Sequence, residues 1–208
     1  MRTESYIPVR GIEEKAEEWI SNLDRKRRWP IDMGRTALLI LDMQRFFTDP
    51  ESHAFIPASR EIIPVISNIV ESFKGPIFLT RHVQPDDESN LMTIWWKDRI
   101  IGGPSELDPS ISGIDGGVIF KEHYSAFKET NLKERLEELG VRSLIITGVM
   151  TDLCCETTAR DAFMEGFRVY FIADGTAAAT EERHLASLRA VSTGFGEVIS
   201  SKELGSLL

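Results

Sequence analysis

Only two of the 208 residues are cysteine, and they are neighbours, Cys154 and Cys155. Adjacent cysteines can close only a strained vicinal disulfide, so a disulfide framework is excluded and a reduced, cytoplasmic setting is expected. Long apolar runs are missing too. Nothing approaches the roughly 18 consecutive apolar residues of a membrane span, and no apolar signal-peptide core is present, so no membrane partner is expected. Positive charge is in deficit: 24 Lys and Arg face 33 Asp and Glu, and the net charge of −9 speaks against a nucleic-acid partner. The one basic run, Arg25-Lys26-Arg27-Arg28, follows Glu13, Glu14, Glu17 and Glu18, the order that complements a helix dipole. Repeats, low-complexity tracts and linker composition are absent as well. What remains, 42% hydrophobic and 27% charged, is ordinary globular composition at one-domain length.

Periodicity organises the rest. Ile12, Ala16, Trp19, Ile20 and Leu23 share one face of a leading helix that ends before Trp29-Pro30, which reads as an arm over 1–34, lying on a partner chain. Beyond it, over 35–208, short apolar runs alternate with helical patterns. Strands are expected at 37–41, 77–80, 118–120, 144–147, 169–172 and 198–200, and helices at 61–73, 128–139, 153–165 and 181–191, with Pro64 in a first helical turn. Apolar runs of this two-sided kind are buried parallel strands, and the helices between them are crossovers. The fold class is therefore α/β, a doubly wound, mainly parallel six-stranded sheet with helices on both faces. A polar and aromatic stretch from Pro85 to Pro109 separates the second and third strands and is expected to be a lid or an interface.

In such sheets ligands bind beyond the carboxyl ends of the strands. Three polar residues stand there: Asp42 after LLIL, Lys121 after VIF, and Cys154 on the turn after LIITGVMTD. If they converge, the carboxylate takes the thiol proton, the ammonium holds both partners charged, and sulfur attacks an sp² carbon. A helix opening at Thr151 or Asp152 would add its dipole, and the cysteine pKa is expected below its free value of about 8.5. The N–H groups of Met150 and Cys154 are the candidate oxyanion donors. Cys155 reads as packing, Asp152 and Arg160 as braces of the turn, Asp161 and Asp174 as structural, and Ser125 as a partner of Lys121.

Together LLILDMQRFF, VIFKEHYSAF and TGVMTDLCCETTARDA resemble the isochorismatase-like cysteine hydrolases, a superfamily of nicotinamidases, N-carbamoylsarcosine amidase, ureidoacrylate hydrolase and isochorismatase. The resemblance runs from about Arg35 to Val198 and implies a Rossmann-like isochorismatase fold, an Asp-Lys-Cys triad at Asp42, Lys121 and Cys154, and a cis peptide between Val149 and Met150. Nicotinamidases carry an Asp-x-His and a second His after the second strand as a metal site; here Thr80-Arg81-His82 is followed by Val83 to Glu88 without another His. No metal and no cofactor is therefore expected. Isochorismatases share the LDMQ strand end but lack the cysteine, so Cys154 favours cleavage of a C–N bond in a small amide, carbamoyl or ureido substrate. The alternatives are a vinyl ether hydrolase with Asp42 as acid and a non-catalytic binding protein. Phe47, Arg81, His82, Trp95 and Tyr124 are the expected substrate contacts, with Trp96 and Phe127 as further candidates for the wall. The amphipathic arm points to a homo-oligomer.

Overall fold

The computed structural model describes residues 2–8, 11–25, 29–84, 87–96 and 105–208. Most of the basic run (26–28), and 85, 86 and 97–104 of the expected lid or interface segment, lie outside the described residues.

Six strands, β1 (Thr36–Leu41), β2 (Ile77–His82), β3 (Gly117–Lys121), β4 (Ser143–Val149), β5 (Arg168–Ala177) and β6 (Glu197–Ile199), form one wholly parallel sheet ordered β3-β2-β1-β4-β5-β6. Every residue of β1 and of β4 is buried, as their two-sided apolar sequences require of central strands. The chain runs outward from β1 to β2 and β3, then returns to place β4 on the other flank of β1. That reversal of direction opens a crevice above the carboxyl ends of β1 and β4. The two strands approach so closely there that a Cβ on Gly148, which has φ +109°, would collide with the Leu41 backbone.

The helices are α1 (Ile12–Ser21), α2 (Arg45–Thr48), α3 (Pro57–Ser72), α4 (Leu91–Trp96), α5 (Pro109–Ser112), α6 (Leu132–Glu138), α7 (Glu156–Met164), α8 (Glu181–Gly194) and α9 (Ser201–Gly205). α3 starts earlier than the periodicity suggested. Pro57, not Pro64, occupies its first turn, where a missing N–H costs nothing, and Pro64 lies inside the helix. The leading helix also departs from expectation: Ala16, Trp19 and Ile20 join the protein's own core, and α1 packs on β5 of the same chain. Lys15 and the Trp19 indole both reach Glu181 Oε1, each at 2.7 Å, which ties α1 to the start of α8. None of the described helices is long and apolar enough to cross a membrane.

Candidate active site

Asp42 follows the last residue of β1 and adopts a left-handed backbone, φ 50°, a region that aspartate tolerates better than most side chains. Thr80 on β2 fixes it from both ends. The Asp42 N–H donates to Thr80 Oγ1 at 3.0 Å, and the Thr80 hydroxyl donates to Asp42 Oδ1 at 2.5 Å. Gln44 staples the next stretch: its Nε2 donates to the carbonyls of His82 and Ser105, while its Oε1 accepts the His82 N–H.

Lys121 ends β3, in register with His82. Its side chain crosses under the site and places Nζ 2.7 Å from Asp42 Oδ2, both side chains fully buried. The aligned hydrogen bonds of the ammonium go to the His123 carbonyl at 2.9 Å and to Cys154 Sγ at 3.4 Å. Asp42 also makes side-chain hydrogen-bond contact with Cys154. Three strand ends far apart in sequence thus bring carboxylate, ammonium and thiol into mutual contact. Ser125 takes no part in this; its hydroxyl accepts the Phe127 N–H within its own turn.

The turn bearing the thiol is not the first turn of an α-helix. Thr151–Cys155 is a π turn, and α7 begins only at Glu156. The Met150 carbonyl accepts N–H bonds from both Leu153 and Cys155 at 3.1 Å, which holds the wide turn closed. The Val149–Met150 peptide is cis. Asp152 pairs with Arg183 at 2.8 Å and Arg160 with Glu156 at 2.7 Å, so both brace their surroundings. Asp174 anchors α9 through the Ser201 N–H and hydroxyl.

Electrostatics corrects one expectation. Burial first, and then the Asp42 carboxylate, push the Cys154 thiol up from its usual value, and Lys121 only partly offsets them. The shift favours the protonated thiol. Lys121 belongs to Asp42 before it belongs to the thiol: burial disfavours each charge alone, yet their attraction leaves the carboxyl below and the ammonium above their ordinary ranges. Burial and the nearby ammonium push His82 down to about 4, so its imidazole is neutral at pH 7.

A cavity of about 140 Å³ opens onto Cys154, close to the roughly 150 Å³ that holds a single benzene-sized ring. Its walls include Phe47, His82, Met92, Trp96, Tyr124 and Leu153. Two expected contacts are elsewhere. Side chains alternate along β2, so with His82 on the cavity side Arg81 points away, donating to Ser105 and lying over the Phe120 ring. Trp95 is 77% exposed, whereas its neighbour Trp96 turns inward and donates from Nε1 to the Tyr124 hydroxyl at 2.8 Å. Phe127 packs instead against Phe167. Gln84, just after β2, and Met92, on the short helix α4, were missed because neither lies in a stretch long enough to show a period. Thr80 was missed as well, although its place two residues before His82 puts it on the same strand face.

The donor set around His82 does not suit a metal. Thr80 spends its hydroxyl on Asp42 and Arg81 faces away, leaving the imidazoles of His82 and His53 and the amide of Gln84 on the cavity wall, whereas catalytic zinc takes three protein ligands, from histidine, carboxylate or thiolate. Among the described residues no group of three His, Cys, Asp or Glu converges.

A doubly wound parallel sheet with such a polar cluster at its switch point has its ionisable groups where ligands bind in open α/β sheets, the arrangement of an α/β-class enzyme. The chain belongs to the isochorismatase family, whose domain matches residues 36–203. It is similar to nicotinamidase 3 of Arabidopsis thaliana, 38% identical over 176 residues that cover 81% of this chain and 86% of that one. Enterobactin synthase component B of Escherichia coli K12 is 32% identical over 184 residues, covering 85% of this chain and 64% of the relative. Among solved structures, a cysteine hydrolase from Pseudomonas syringae pv. phaseolicola 1448A aligns with a TM-score of 0.81 at 25% identity, over 86% of this chain and 95% of that one.

Proposed function

We propose that the protein is a metal-independent cysteine hydrolase that cleaves the C–N bond of a small amide, carbamoyl or ureido compound through a thioester on Cys154. One observation carries this: a single ammonium, Lys121 Nζ, touches both Asp42 Oδ2 at 2.7 Å and Cys154 Sγ at 3.4 Å, beside a ring-sized cavity.

The thiol proton has a short path to Asp42, whose carboxylate is held ionised by Lys121. As sulfur attacks the substrate carbonyl, that proton passes to the carboxylate, and Lys121 stabilises the charge that moves from oxygen to sulfur. The carbonyl oxygen becomes an oxyanion on the N–H groups of Met150 and Cys154. Protonated Asp42 then gives its proton to the departing nitrogen, and the C–N bond breaks to leave an acyl-enzyme and a free amine or ammonia. Water, deprotonated by the same carboxylate, cleaves the thioester and restores the thiol. Because the resting thiol is protonated, activation is coupled to substrate arrival rather than stored in a free thiolate.

Phe47, His82, Trp96 and Tyr124 form the substrate wall, with neutral His82 a hydrogen-bonding group rather than a cation. Replacing Cys154 by Ala tests the reading in a panel of small amides, carbamoyl and ureido compounds. Turnover is expected to fall by about 10³-fold or more with the fold retained. Retained turnover by Cys154→Ala would contradict it, and turnover of an added vinyl ether by wild type and Cys154→Ala alike would support a vinyl ether hydrolase that works by proton transfer from Asp42. Absence of turnover in the wild type, with Cys154 inert, would support a binding protein.

A further inference from the structure

The N-terminal arm lies outside the matched domain, yet it packs around the imidazole that meets the turn carrying Cys154. Two side chains of α8 hold Thr151, the first residue of that turn. His184 Nδ1 lies 2.9 Å from the Thr151 hydroxyl, and Ser187 donates to the Thr151 carbonyl at 3.1 Å. Residues 184 and 187 are one helical turn apart, so both reach from the same face. His184 is itself fully buried, and its imidazole is walled by Trp19, ring centroids 4.6 Å apart, and by Tyr6 at 5.8 Å. The far side of the ring makes backbone contact with Ala173. The neutral imidazole and the Thr151 hydroxyl share one hydrogen bond between Nδ1 and Oγ1, whichever of the two carries its proton.

The arm is fastened in turn to the segment between β5 and α8. The Glu4 N–H donates to the Ala179 carbonyl at 3.0 Å, the Tyr6 hydroxyl accepts the Ala178 N–H at 2.9 Å, and Glu4 Oε1 accepts the Glu181 N–H at 2.7 Å. Trp19 and Lys15 close on Glu181 from α1. The contacts therefore run without a break from the arm, through one imidazole, to the backbone three residues from the thiol.

We propose that the arm and α8 form a clamp that sets the position of Cys154 through the His184–Thr151 contact, making His184 a positioning residue for the reaction. The inference rests on the reading of Cys154 as nucleophile. A wide π turn has no α-helical ladder to fix it, and His184 and Ser187 supply that restraint from outside. A displacement of order 1 Å at a nucleophile costs about 10²-fold in rate, so loss of the clamp should appear in kcat rather than in binding.

His184→Leu fills the space without an acceptor, Thr151→Val removes only the hydroxyl, and His184→Asn puts an amide near the position of Nδ1. The first two are expected to lower kcat by about 10 to 100-fold with KM within about threefold, and His184→Asn to recover most of the loss. Truncating the indole with Trp19→Ala is expected to lower kcat in the same direction. Should His184→Leu fail to fold, Thr151→Val carries the test alone. Wild-type kcat in Thr151→Val, or equal losses in His184→Leu and His184→Asn that merely follow stability, would overturn the clamp. The two readings fail separately: turnover that survives Cys154→Ala removes the nucleophile, whereas Cys154-dependent turnover indifferent to Thr151→Val removes only the clamp.

Discussion

The proposed catalytic floor and the cavity wall of this protein are built by different means. The floor is delivered by strand ends: Asp42, Thr80 and Lys121 hang from β1, β2 and β3 of the parallel sheet, and Cys154 follows β4 on the π turn. The wall comes mostly from connections between strands, with Phe47 on a four-residue helix, Met92 and Trp96 on a six-residue helix, and Tyr124 on a turn after β3, and His82 at the end of β2 is its strand-borne member. On the proposed reading, chemistry is held by the part of the fold least free to change and specificity by the part that can vary without disturbing the sheet.

That contrast predicts a ranking of damage. Asp42→Asn strikes the floor hardest, leaving a buried lysine without its counter-charge. A loss of about 3–5 kcal/mol in urea unfolding and of about 10²–10⁴-fold in turnover is expected. Acid should weaken the same region next. The folded His82 and His184 titrate near 4 and 3, against about 6.5 when unfolded. Below about pH 6.5 the unfolded chain binds protons that the folded one refuses, so stability is full above that pH and falls as pH drops. Each histidine contributes a slope of up to about 1.4 kcal/mol per pH unit until its folded pKa is passed. Urea midpoints between pH 7.5 and 4.5 measure this, and His184→Asn should remove one of the two slopes. Asp42, depressed in the fold, adds the same sign only in more acid solution.

Changes in the wall should be gentler. Tyr124→Phe takes away the acceptor of the Trp96 N–H, for a loss of about 1 kcal/mol, and is expected to raise KM several-fold with kcat little altered. Trp95→Ala, at an exposed position, should leave kinetics unchanged and stability within about 0.5 kcal/mol. A large kinetic effect at Trp95, or none at Tyr124, would break the assignment of the wall.

The same division separates what was readable in the residues from what was not. A polar residue that ends an apolar run, as in LLIL-Asp42 and VIF-Lys121, announces itself, because a parallel strand buries both faces and the first side chain that cannot be buried cheaply marks its end. The sheet class and the three-residue cluster were legible for that reason. Direction was harder. Arg81 and His82 are adjacent and equally polar, and it is the pairing of β2 with β3, which sets His82 beside Lys121 and Arg81 beside Phe120, that decides which enters the cavity. Trp95 and Trp96 raise the same difficulty on a short helix. The thiol pKa was misjudged because a sequence shows which charges exist but not how they pair; here the carboxylate has first claim on the ammonium, and burial does the rest. The apolar stripe of α1 was visible as well, but not that β5 of the same chain covers it.

The most direct test is the mass of the intact protein in a reaction quenched with acid within one turnover. The account predicts a transient gain equal to the acyl group of the substrate, mapped to Cys154 and absent from Cys154→Ala. Product release with no adduct on Cys154, together with a Cys154→Ala enzyme that turns over normally, would contradict it.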